Sequence, residues 1–189
     1  MTRAKLKHFF LILSLFFCVF LAASSSANAQ KRDHLNEMEV ELVRDAQEID
    51  KRTEIFVKAI DRRFLVLNND ATQTKQIAKD LDKWGDLPAG TRPQLFTDIK
   101  KLLEEAINNI DDVATHAKMD AQLFPKAVRT LAAAAAGYLP EFKSSLNKTT
   151  DEKEKGAILA SIESCEQIIE ASAKVPKEES KNKSKKKSN

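Results

Sequence analysis

The chain is poor in the residues that punctuate or crosslink most small folds. Among 189 residues it has four glycines, five prolines, two cysteines, one tryptophan and one tyrosine. So little glycine and proline excludes a collagen or a low-complexity chain. Two cysteines cannot build a disulfide scaffold. Four glycines leave little room for phosphate-cradling turns, and neither GxGxxG nor GxxxxGK[ST] occurs. The length suits one domain.

The first 29 residues have a tripartite pattern. Arg3, Lys5 and Lys7 give a basic start, Phe9 to Ala23 form an apolar run broken by Ser14, and Ala27-Asn28-Ala29 fits an A-x-A cleavage site. The pattern is that of a secretory signal peptide (1–29) cleaved before Gln30. The apolar run is shorter than the roughly 20 residues of a spanning helix, so cleavage is expected rather than anchoring. Cys18 follows Phe17 in mid-run, which does not suit acylation. The short basic start points to a bacterial exporter, and the expected location is the periplasm or the extracellular space.

Removing 1–29 takes three basic residues and leaves 28 basic against 28 acidic. The balance is uneven along the chain. Residues 174–189 carry seven lysines and two glutamates, and their scarcity of apolar side chains predicts a disordered, Lys-rich tail. Such a tail suits a polyanion of the cell envelope, with salt-dependent binding. It also suits plain solubilisation. No aromatic side chain interleaves with the lysines, and export argues against nucleic acid as a partner.

Between 30 and 173 the hydrophobic period is close to 3.6 and nowhere two, which predicts an all-α domain. The first stripe is Leu35, Met38, Leu42, Ala46, Ile49, Thr53, Phe56, Ile60, Phe64 and Leu67. It predicts one helix about 50 Å long, capped by Asp33, stopped near Asn68 and open to coiled-coil pairing, with its charged face solvated. A short helix follows, with Leu81, Trp84 and a terminating Gly85. Thr91 to Gln94 reads as a capping box before a stripe through Ile99, Leu103, Ala106, Ile110 and Val113. Phe124-Pro125 opens a third long helix that continues past Pro140 with an expected kink. Thr149 and Glu152 form another capping box before Ile158, Ile162, Cys165 and Ile169. Four such stripes predict a four-helix bundle, or extended antiparallel hairpins, with one short extra helix.

Two clusters carry metal-ligating side chains. His34 lies near Met38, and His116 lies between Asp112 and Met119. Each cluster falls on one helix face, and together His34, Met38, His116 and Met119 could serve copper or haem. Their spacing opposes it. Met38 lies about 44 Å along a helix from Leu67, and His116 about 36 Å from Arg92, so helices level at one end leave the clusters roughly 8 Å out of step. There is no CxxCH motif and no Glu-x-x-His pair. The expectation is therefore no cofactor.

Cys165, the one cysteine after residue 29, sits on an apolar stripe, where a thiol is usually inert. Glu104-Glu105 and Asp111-Asp112 lie off their stripe and read as a solvated face. No catalytic residue is nominated.

Residues 41–57, ELVRDAQEIDKRTEIFV, and 105–113, EAINNIDDV, resemble parts of exported all-helical bacterial proteins with no assigned activity. The resemblance implies export and a helical body, and it transfers no functional residue. The LTxxQ repeats of one group of periplasmic helical chaperones are absent. The reading that follows is an exported, non-enzymatic helical protein acting through protein or envelope contacts, with a metal- or haem-binding bundle as the alternative.

Overall fold

The computed structural model describes residues 33–68, 81–116 and 123–176. The secondary structure of the described residues is all helical, with no strand among them. The helices are α1 (Glu37–Asp45), α2 (Ile49–Asn68), α3 (Arg92–His116), α4 (Leu123–Leu146) and α5 (Glu152–Ala173), with a helical turn at 81–84. The signal-peptide pattern at 1–29 lies outside the described residues. No helix among those described is long and apolar enough to cross a membrane.

The four long helices form a bundle-like body whose neighbours follow the order α2, α3, α5, α4 and back to α2. Polar contacts fix the directions. Lys126 meets Asp50 near the starts of α4 and α2, and Asn68 donates to Glu141 near their ends, so these two run in parallel. Arg92 at the start of α3 reaches the Leu67 carbonyl, while Arg52 reaches Asn109, so α3 runs against α2. Arg92 also bridges to Glu154 at the start of α5. The link 147–151 turns α4 back along α5. α3 and α4 touch less than any ring-neighbour pair, so successive helices joined by a short link need not be the closest neighbours.

Each stripe faces this centre. Phe56, Ile60, Ile99, Leu103, Leu131, Phe142 and Ile158 have at most 1% exposure. Phe64 stacks on Tyr138 and meets Phe142 edge-on, with centroids 5.2 and 5.3 Å apart. Ala127, Ala132 and Ala135 are buried on α4 and let its neighbours approach. α4 continues through Pro140, which is exposed. At that position the carbonyl left without a donor can face water.

Four local expectations need correction. The first stripe is not one rod, because the chain breaks at 46–48 and α1 folds back along α2. That break also removes the continuous seam that a coiled coil over 35–67 needs. Asn36, not Asp33, caps α1: its side chain accepts from the Glu39 N–H at 2.8 Å while the Glu39 carboxylate accepts from the Asn36 N–H at 3.1 Å. Asp151, not Thr149, caps α5 by accepting from the Glu154 N–H at 2.8 Å, and Thr149 instead accepts from the Asp151 N–H. The folded body also runs slightly past Ala173. Val175 packs against the core and the Pro176 carbonyl accepts from Arg129, while the rest of the Lys-rich segment, from 177, lies outside the described residues.

Candidate functional site

The most polar part of the interior lies where α1 meets α2. Glu39 is fully buried, and Arg62 and Arg63 are each 1% exposed. One Glu39 oxygen accepts from Arg62 Nε at 3.2 Å and from Arg63 at 2.7 Å, and the other accepts from Arg63 at 2.7 Å. One carboxylate thus faces two guanidiniums, and backbone carbonyls take up further donors. Arg62 donates to the carbonyls of Trp84, Gly85 and Asp86, and Arg63 to those of Ala59 and His34. Arg62 also lies over the Trp84 ring at 5.8 Å. Arg63 Nε is buried without a partner. Removing these charges from water is costly, and only such dense pairing offsets it.

Gly85 shapes this corner. Its φ is +65°, and its N–H caps the turn by donating to the Leu81 carbonyl at 2.8 Å. A Cβ there would stand 3.1 Å from Met38 Cγ. The glycine therefore satisfies a left-handed backbone and a close approach of α1 together.

Of the sequence-nominated metal residues, the described ones, His34, Met38 and His116, are not brought together. His34 Nε2 lies 2.7 Å from Glu105 and Nδ1 3.2 Å from Asp33. Met38 is 42% exposed beside Gly85. His116 ends α3, about 16 Å of helix beyond Glu105. Met119 lies outside the described residues. Folding α1 back moved His34 toward the middle of α3 and away from its end. Among the described residues, no group of three or more His, Cys, Asp or Glu side chains is placed to hold a metal ion. Of the paired acids, Glu105 takes His34 and Glu104 pairs with Lys100 at 2.8 Å.

A second polar region is the groove between α2 and α4. Lys58, Asp61, Phe64, Asn68, Tyr138 and Glu141 line a hollow of about 330 Å³. The Tyr138 hydroxyl donates to Asp61 at 2.6 Å, with the Val57 carbonyl a second acceptor at 3.2 Å. Burial lifts the Asp61 carboxyl above its usual range, although the Tyr138 hydrogen bond and Lys58 oppose the rise. Burial and the Asp61 charge both raise the Tyr138 phenol. Beyond Asn68 and Glu141 the groove opens into a cleft of about 520 Å³ at the end of the body, lined by Arg92, Ser144, Ser145, Lys148, Thr150 and Glu154 among others. Such a cleft offers donors and acceptors of both charges to an extended polar chain.

Other ionisable groups are structural. Asp50 is buried, which alone would raise its pKa, but the hydrogen bond and charge of Lys126, aided by Lys51, hold it below the usual carboxylate range. The Cys165 thiol is fully buried, and burial pushes it up to about 12, so thiolate is scarce at neutral pH.

Sequence reading missed Glu39, Arg62 and Arg63 because all three were assigned to a solvated face. Two signals were present. Arg63 stands between Ile60, Phe64 and Leu67 on the apolar side, and Asn36-x-x-Glu39 is a capping pattern that starts a helix after Asp33. No family model, curated protein or solved structure matches the chain.

Proposed function

We propose that the chain is an exported, non-enzymatic helical protein that works through contacts with another protein or with a polyanion of the cell envelope. The observation that carries this reading is the basic, apolar, A-x-A pattern of residues 3–29. In this reading residues 30–173 act as a four-helix bundle bearing α1 as a side element. The Lys-rich segment provides the envelope contact, and the α2–α4 groove with its open polar cleft provides the protein contact. The buried ionisable groups support a scaffold role. Glu39 is spent on two arginines, Asp50 on Lys126, and Cys165 is held as a neutral thiol.

The test is fractionation of the exporting host followed by intact mass measurement. The expected result is protein outside the cytoplasm with a mass that begins at Gln30. Cytoplasmic protein that keeps Met1 would defeat the export reading. For the envelope contact, binding to anionic vesicles is compared with and without residues 177–189. The expected result is salt-sensitive binding that disappears with the segment; equal binding by both would assign the contact elsewhere.

A further inference from the structure

The turn between α1 and α2 is unusual in its composition. Ala46, Gln47 and Glu48 include no glycine or proline, and each residue type is at home in a helix. The apolar stripe crosses the turn without a phase shift, through Leu42, Ala46, Ile49 and Thr53. The local sequence thus encodes a straight helix, while the tertiary contacts hold a hairpin. Ala46 is extended, at φ −76° and ψ 99°. Its carbonyl, which in a continuous helix would accept from the Asp50 N–H, accepts instead from Arg52 Nε and Nη2 at 3.0 and 2.9 Å.

We propose that α1 exchanges between two copies of this chain. In the exchanged state α1 and α2 form one helix, and the α1 of each copy occupies the Arg62–Arg63 cradle of the other. An open cradle leaves two guanidiniums without their anion, so an α1 from a second copy is favoured to fill it. Its built-in occupant is specific. Asn36 donates to the Trp84 and Asp86 carbonyls, Met38 packs on Gly85, and Glu39 meets both arginines. A second α1 supplies all three at the same spacing. The register also closes. Glu39 pairs with Arg62 and Arg63, so two straight helices laid antiparallel make the same contact twice, once at each end, about a two-fold axis near residue 51. Reciprocal exchange of one element through a short turn is a low-cost route to a closed dimer.

The test begins with the chain recovered from its host, refolded over a range of concentrations and sized by light scattering. A dimer fraction that rises with the refolding concentration and persists on dilution is expected. Gln47→Pro should lower that fraction at least ten-fold while leaving the helical signal and the monomer intact. Proline suits the extended backbone of the preceding Ala46 but blocks a continuous helix. Spin labels at Glu37→Cys and Asn68→Cys, diluted with unlabelled chain, read the fold within one chain. Glu39 lies against Arg62 and Arg63 in the hairpin, so the two positions are nearer there than the about 46 Å of a straight helix, and the dimer should show the long spacing. The absence of any dimer, a dimer that keeps the short spacing, or a folded Gln47→Pro chain that still dimerises fully would each overturn the exchange. Should Gln47→Pro fail to fold, the spacing in the unmodified dimer decides alone.

Discussion

At the centre of α2–α5, Phe56, Ile99, Leu131 and Ile158 meet with almost no exposed surface, whereas the one buried residue of α1 is a glutamate. The body gains its stability from area removed from water, about 25 cal/mol per Å². Such attraction is non-directional and survives many substitutions of similar size. α1 gains little by that route. Its Val43 is only partly buried against the core, and Met38 is 42% exposed. What holds it is directional: one carboxylate, two guanidiniums and a cap at fixed spacing. The contrast teaches that helix periodicity reports the first kind of contact and is blind to the second.

Four substitutions sharpen the contrast. The largest effect belongs to the body. Phe142→Ala removes a fully buried ring that packs on Phe64 and Phe96, and denaturant titration should show a loss of about 3–5 kcal/mol. Second is Glu39→Gln, which leaves Arg62 and Arg63 facing an amide. Breaking a buried pair costs about 3–5 kcal/mol when the remaining charge stays buried, and the release of α1 limits the loss by letting both guanidiniums hydrate. A denaturation curve should therefore show a smaller global loss than for Phe142→Ala. A larger one would mean that the body depends on the knot.

Third is Asp50→Asn, which removes the partner of Lys126 at the start of α4. A loss of about 1–2 kcal/mol is expected at neutral pH. The folded pKa of Asp50 is lowered, so its contribution is present above the ordinary carboxylate range and disappears as pH falls through the folded value. The folded pKa of Lys126 is raised, so its share is lost only as pH rises through that folded value. Thermal melts of the two proteins should therefore converge in acid. The smallest effect is at Asp61, where the sign reverses. Its folded pKa is raised, so ionisation opposes folding above that value and costs nothing below the ordinary range. Asp61→Asn keeps an acceptor for Tyr138, and its melting temperature should gain on the wild type as pH rises from about 4 to about 7. A constant difference across that window would contradict the burial of Asp61.

Much of the body was legible in the sequence. The stripes through Ile99–Ile110 and Val128–Phe142 are buried as their spacing predicts, Ile158 and Cys165 are buried with Ile162 and Ile169 only partly so, Gly85 ends its turn, and α3 starts at Arg92 with Gln94 accepting from the Thr91 N–H at 2.8 Å. The position of α1 was not legible. Ala46 to Glu48 carry no breaker, so local preference favoured a rod, and contacts from 84–86 and 62–63, far away in sequence, overrode it. Asn36 has Glu39 three residues on where Asp33 has only Asn36, whereas Thr149 and Asp151 each have a glutamate at that spacing and the pattern alone does not choose between them. The metal-ligand clusters rested on the same rod, so the fold-back that displaced His34 also undid the geometry on which they were weighed.

Native-state hydrogen exchange on the wild type and Glu39→Gln tests most directly whether α1 is held by charge and the body by apolar packing. The predicted result is selective loss of protection at residues 37–45, with the amides of α2–α5 almost unchanged. Uniform loss across all five helices, or full protection of α1 without its carboxylate, would contradict it.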